Sequence, residues 1–284
     1  MQPIIISVAP NGARKTRNDH PALPVTPVQL GEEARACRDA GAALIHLHIR
    51  DAAQKHTLDV PTYRAATGSV RQQCGEDFIV QVTSEAVEIY TAPEQMQMVL
   101  ELQPEAVSLA IREIIPEPAM EKPATAFLKQ IHAMGIHPQY ILYSPEEVAY
   151  FGKLRKAGLI PGERIFVLFV LGKKTGNPEA AVDPSLSWAR PEDLDPFLEC
   201  FDAHLTLSET EWAVCAFGGK ELECMEYTAK CGGHVRIGFE NNHLMADGSI
   251  APNNAALITQ FVGKVRGGNR PIATAAEARK ILGM

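Results

Sequence analysis

The stretch Ala43-Leu44-Ile45-His46-Leu47-His48-Ile49-Arg50-Asp51 sets two histidines two residues apart within an apolar run. Its bulky and β-branched neighbours make it a buried strand. Side chains alternate across a strand, so His46 and His48 share one face while Ile45, Leu47 and Ile49 take the other. At roughly 3.3 Å per residue their Cα atoms stand about 6.6 Å apart, within reach of one metal ion. Two histidines satisfied separately by backbone carbonyls in a polar core layer would leave the same pattern. A third ligand distinguishes the two readings.

Working outward, Ile4-Ile5-Ile6-Ser7-Val8 is a short apolar strand stopped by Pro10-Asn11-Gly12. Thr26-Pro27-Val28-Gln29 is a capping box with proline at the first helical position, and Gly41 ends that helix. One βαβ unit is thus complete by the histidine strand. Downstream the alternation continues, with strands predicted over residues 78–83, 106–110, 137–143, 165–171, 212–217 and 235–239. Helices are predicted over residues 61–74, 91–102, 123–134, 144–157, 191–201 and 220–230, and two more close the chain. The last of these is capped by Thr274-Ala275-Ala276-Glu277. Eight strands alternating with helices predict an α/β fold, a (β/α)8 TIM barrel, as a single domain over 1–284 with a C-terminal extra helix. A doubly wound open sheet is the alternative, but no G-x-G-x-x-G or Walker A motif is present.

The composition suits a soluble globular protein: 284 residues, 46% hydrophobic and 21% charged, with net charge −7. That charge, with few aromatic residues and no basic run, argues against nucleic acid as a partner. No signal-peptide pattern and no 18-residue apolar run is present, so no membrane association is expected. The six cysteines form no C-x-x-C pair, as expected of reduced thiols in a cytoplasmic protein.

Barrel active sites form at the carboxyl ends of the strands, where His46 and His48 lie. The eighth strand ends in Arg236-Ile237-Gly238-Phe239-Glu240-Asn241-Asn242. Strands eight, one and two adjoin in a closed barrel, so Glu240 can approach both histidines. Two imidazoles and a carboxylate leave an open position, the arrangement expected of catalytic zinc, although iron or manganese share the ligand preference. Arg236 and Glu240, four apart on one strand, should both face inward.

These residues resemble the β-keto acid cleavage enzyme (BKACE) family. The resemblance rests on Leu23-Pro24-Val25-Thr26-Pro27, His46-Leu47-His48-Ile49-Arg50-Asp51, Pro104-Glu105-Ala106-Val107-Ser108-Leu109 and Gly232-Gly233-His234-Val235-Arg236-Ile237-Gly238-Phe239-Glu240. It spans nearly the whole chain. It implies a zinc-dependent barrel that exchanges acyl groups between a β-keto acid and acetyl-CoA as co-substrate, giving acetoacetate and a new acyl-CoA. It further implies metal ligands at His46, His48 and Glu240, a catalytic Arg236, and a homo-oligomer. Hydroxyls at Thr83, Ser84 and Ser108 are placed to hold the substrate carboxylate or carbonyl, with strand-end caps and turn hydroxyls as the other reading. Lys173 and Lys174, after the sixth strand, read as solvated loop charges, with contact to CoA phosphates as the alternative.

Three positions depart from the family pattern. Arg14, Gln139 and Asn241 stand where the family carries acids, the last of them a base beside the arginine. Asparagine accepts no proton, so Glu85, just beyond the third strand, is the replacement acid. Losing three acids should make the pocket, including Arg14 and Asn241 as substrate contacts, less negative and suit a doubly negative keto acid. A CoA-independent metal-dependent lyase or hydrolase of a keto acid is the second reading, and a non-catalytic metal-binding barrel the third.

Overall fold

The computed structural model describes residues 2–172, 189–206 and 208–284. Among these residues, eight parallel strands close into a barrel. In chain order they are β1 (Ile6–Val8), β2 (Leu44–Leu47), β5 (Ile79–Thr83), β6 (Ala106–Ala110), β7 (His137–Leu142), β8 (Ile165–Leu171), β9 (Thr210–Ala216) and β10 (His234–Ile237). The barrel closes at β1, which pairs with β10 on one side (Ser7 opposite Arg236) and β2 on the other (Ser7 opposite Leu44). The two remaining strands, β3 (Ile49–Arg50) and β4 (His56–Thr57), form an antiparallel hairpin outside it.

The helices between the strands are α1 (Pro27–Asp39), α2 (Val60–Cys74), α3 (Ala92–Leu102), α4 (Ile111–Ile114), α5 (Glu121–Ala133), α6 (Pro145–Lys156), α7 (Asp195–His204) and α8 (Glu221–Lys230), with α9 (Asn254–Val265) and α10 (Ala275–Leu282) after β10. The signals read from the sequence act as expected at their starts. Thr26 and Gln29 form a reciprocal capping box, as do Thr274 and Glu277, and the Ser144 side chain accepts from the Glu147 N–H. None of the described helices is long and apolar enough to cross a membrane.

β8 reads as an unbroken apolar run because both its faces are buried. On β8, Phe166, Leu168 and Val170 fill the barrel interior, while Ile165, Val167, Phe169 and Leu171 join the layer beneath the helices. The interior is apolar at its amino end, where Ile5, Leu44, Ile79 and Ala213 meet Ala278 and Leu282 of α10. The extra helix is therefore the plug of that end. Arg279 ties it down by donating to the carbonyls of Asp77 and Glu76 and pairing with Glu105 at 2.7 Å.

Two strand ends differ from expectation. The run over residues 43–51 leaves the barrel after Leu47, where pairing with β5 stops, and the His48 carbonyl accepts instead from the Asn11 side chain. The eighth strand ends at Ile237, so Arg236 and Glu240 do not share it. Gly238 has φ +146°, and a Cβ there would lie 2.4 Å from the Ala9 carbonyl oxygen; glycine is the residue that lets the chain turn inward at this point. The single-turn helix α4 was too short to register as a periodic pattern.

Candidate active site

At the carboxyl end of the barrel, β2 and the turn after β10 bring three ligand groups together, the two histidines buried and Glu240 partly so. The ligand atoms of His46, His48 and Glu240 all lie within 4.8 Å of one another. The Nε2 atoms of the two histidines are 3.1 Å apart, and Glu240 Oε2 stands 3.6 Å from the first and 3.4 Å from the second. Glu240 fits because Gly12 faces it: a Cβ at Gly12 would come within 2.6 Å of the Glu240 Cγ. Arg50 fixes that first loop by donating to the carbonyls of Gly12, Ala13 and Lys15.

The tautomer of His46 follows from its neighbours. Gln81, opposite His46 in the sheet, donates from Nε2 to Gln139 Oε1 at 3.1 Å and so turns its own Oε1 to His46 Nδ1 at 2.8 Å. Nδ1 must carry the proton, which leaves the Nε2 lone pair free. Burial, and then the charge of Arg236, push the His46 pKa down to about 3, so the ring is neutral. Burial opposes ionisation of Glu240, but the Arg236 guanidinium beside it outweighs this and holds its carboxyl well below the usual range. Glu240 Oε2 has no hydrogen-bond partner among the described residues. A neutral imidazole lone pair and a partnerless carboxylate oxygen converging on one point, with His48 Nε2 beside them, fit a divalent cation.

Arg236, at the end of β10, donates from one nitrogen to Glu240 Oε1 at 2.9 Å, Asn241 Oδ1 at 3.2 Å and Cys215 Sγ at 3.2 Å. Next to it opens a pocket of about 350 Å³, whose polar lining includes His46, Thr83, Ser108, Arg236 and Glu240. Thr83 and Ser108 face each other at 3.2 Å between their hydroxyl oxygens.

The other expected site residues divide. Glu85 lines the pocket, with Oε2 3.8 Å from His48 Nε2 and Oε1 3.1 Å from Arg14. Arg14 itself is half-exposed and lines a separate outer groove. Ser84 is a correction: strand alternation turns it opposite to Thr83, and its hydroxyl lies 3.3 Å from both the Ser108 carbonyl and the Gln95 amide, outside the pocket. Asn241 is buried behind Arg236 and does not line the pocket. Lys173 and Lys174 lie outside the described residues.

The sequence reading missed four contributors. Gln81 and Gln139 set the histidine tautomer, and a polar residue inside an apolar strand was the available signal. Glu113 of α4 adds a carboxylate to the pocket wall. Glu221, at the start of α8, is fully buried, and burial raises its pKa to about 8 against the pull of three N–H donors from Gly238, Asn241 and Asn242. Among the described residues, Glu85, Glu113 and Glu240 give the pocket three carboxylates against the single guanidinium of Arg236.

Comparison with known proteins gives the family. The chain is 30% identical to the 3-keto-5-aminohexanoate cleavage enzyme of Acetoanaerobium sticklandii, over all of this chain and 99% of that protein. It is 27% identical to the 3-oxoadipate:acetyl-CoA acetyltransferase of Cupriavidus necator, over all of this chain and 95% of that protein. The solved structure of ObcA shares the fold with a TM-score of 0.72 at 16% identity, over 93% of this chain and 66% of that one. The family model described as beta-keto acid cleavage enzyme (BKACE) matches residues 3–284, and the chain belongs to that family.

Proposed function

We propose that this protein cleaves a β-keto acid by acyl exchange with acetyl-CoA, giving acetoacetate and a new acyl-CoA, and that His46, His48 and Glu240 hold the metal, zinc first among candidates. The observation that carries the reading is the convergence of those three groups beside a pocket walled by Arg236, Thr83 and Ser108. The names of the relatives, a keto-acid cleavage enzyme and an acetyl-CoA acetyltransferase, support the reaction class. The whole chain acts as one catalytic domain. Its free cysteines support a reducing compartment, the cytoplasm, and the family resemblance supports a homo-oligomer.

A divalent ion at this site supplies Lewis acidity toward the keto-acid carbonyl. The protein's groups do the rest. The hydroxyls of Thr83 and Ser108 donate to the substrate carboxylate and orient the bond to be broken. The exchange balances when the CH₂ carbon, its proton removed, bonds the acetyl carbon of acetyl-CoA with release of CoA thiolate, and that thiolate bonds the keto carbon as the bond between the two carbons breaks. The acetoacetate enolate so released takes back a proton, and Arg236 is placed to stabilise the enolate charge. With amide in place of acid at Asn241, Glu85 is the group on the pocket wall able to accept the substrate proton. Glu85, paired with Arg14, and Glu113 add carboxylates to the wall, and the expected preference for a doubly negative keto acid is part of this proposal.

The test is metal analysis of wild type and Glu240→Gln alongside an exchange assay with acetoacetate and a series of acyl-CoA thioesters. One equivalent of metal in wild type, depleted in the variant, with exchange only in wild type, is expected. Metal with turnover of a keto acid that ignores CoA would move the reaction to the lyase or hydrolase class. Absence of metal from wild type would overturn the reading.

A further inference from the structure

Behind Arg236, away from the pocket, the turn after β10 closes over one buried carboxylate. Glu221 Oε1 accepts from the Gly238 N–H at 3.2 Å and from Asn241 Nδ2 at 3.3 Å, and its Oε2 faces Asn242 Nδ2 at 3.4 Å. Asn242 is bound at both ends to the backbone of Leu244, donating to its carbonyl at 2.7 Å and accepting from its N–H at 2.9 Å. Asn241 Nδ2 also donates to the Arg236 carbonyl at 3.2 Å.

An asparagine amide has a donor end and an acceptor end, and which end faces a neighbour depends on what holds the other. Arg236 can only donate, so it requires the oxygen of Asn241. On the far side, Glu221 Oε1 and the Arg236 carbonyl both accept, so they take the nitrogen. The order of donors and acceptors from Arg236 through Asn241 to Glu221 is therefore consistent in a single orientation. The turn that carries Glu240 is held by the same carboxylate through Gly238.

We propose that Glu221 is a positioning residue for the active site: its carboxylate holds the turn 238–242 and fixes the Asn241 amide with its oxygen toward Arg236. Glutamine at 221 would put an amide nitrogen where three N–H groups need an acceptor, and at least one of them would lose its partner. The Asn241 amide and the Arg236 guanidinium would then lose their fixed relation to Glu240. The kinetic consequence rests on the proposed acyl exchange; the structural one does not.

The experiment is a double-mutant cycle with a crystal structure of Glu221→Gln. A fall of about 10- to 100-fold in kcat is expected for Glu221→Gln, with KM for acetyl-CoA and metal content unchanged. In an Asn241→Ala background the same substitution should cost no more than about 2-fold, since the two residues act in series. Full repetition of the loss in that background would overturn the proposal, because a purely structural role acts independently of Asn241. The crystal structure should show the Asn241 amide or Arg236 displaced, and unmoved side chains would overturn it too. Should Glu221→Gln fail to fold, Glu221→Asp keeps the carboxyl group, withdraws it from Asn241 by one methylene, and is expected to lower kcat with melting temperature retained. A wild-type enzyme without exchange activity would remove the proposed function and leave the crystal structure to decide the role of Glu221.

Discussion

The two ends of the barrel each bury histidine, and they treat it in opposite ways. At the amino end, His234 accepts from the Ile5 N–H through Nδ1 at 3.0 Å and faces Glu211 through Nε2 at 3.3 Å. Both nitrogens have protein partners, and the ring is a strut between β1, β9 and β10. At the carboxyl end, His46 is fixed through Nδ1 alone, and its Nε2 points at His48 Nε2 and the Glu240 carboxylate. Burial and residue type are shared. What differs is the company of the second nitrogen: in His234 it meets one carboxylate, and in His46 it meets a second imidazole and a carboxylate that converge with it.

The largest effect expected from this contrast is in metal content. His48→Ala should remove bound metal and abolish turnover, whereas His234→Ala should keep both and lower stability by about 1–3 kcal/mol as the Ile5 N–H loses its acceptor. Elemental analysis with thermal melts checks the pair, and metal loss in His234→Ala would break the comparison. A smaller effect isolates the tautomer. Gln81→Leu removes the acceptor on His46 Nδ1 and should weaken metal affinity by about 10- to 100-fold, measured by chelator competition; unchanged affinity would mean that the tautomer is set by other groups.

The smallest effect lies next to the site. His56 is buried with Nε2 2.9 Å from the Glu85 carbonyl, and burial, then His48, bring its pKa down to about 4. The unfolded chain binds this proton below about pH 6.5 while the folded chain does not until about pH 4. Stability from this group is present above pH 6.5 and falls as pH is lowered through that window. His56→Gln should flatten the difference in stability between pH 6.5 and 4 by about 3 kcal/mol at most, as read from denaturant melts at a series of pH values. An unchanged slope would show that His56 titrates alike in both states.

The barrel strands and helix caps were legible in the sequence because each rests on local signals: apolar runs such as 165–171, and hydroxyl-acid pairs such as Thr274 with Glu277. His46, His48 and Glu240 were legible as a group because closure makes the first, second and eighth strands neighbours. The reading placed Ser84 in the pocket beside Thr83 although adjacent strand residues cannot both face inward. Glu221 stayed hidden for a different reason. Its partners are backbone and amide N–H groups on a turn that exists only because Gly238 bends, and no spacing in the chain announces an acceptor for them. Gln139, read as a lost acid, proves to be the acceptor that orients Gln81, which in turn fixes His46.

The seam where β10 meets β1 has a consequence for how the site comes into being. His46 and His48 emerge early in synthesis and Glu240 late, and only the pairing of the last strand with the first brings them together. A nascent chain that has released its first seven barrel strands therefore holds two of the three groups. Any ion gripped by all three groups would bridge the two edges of an otherwise open sheet and act as a latch on its closure. Metal uptake would then report completion of the barrel, and the protein would acquire its reactive centre as the last act of folding.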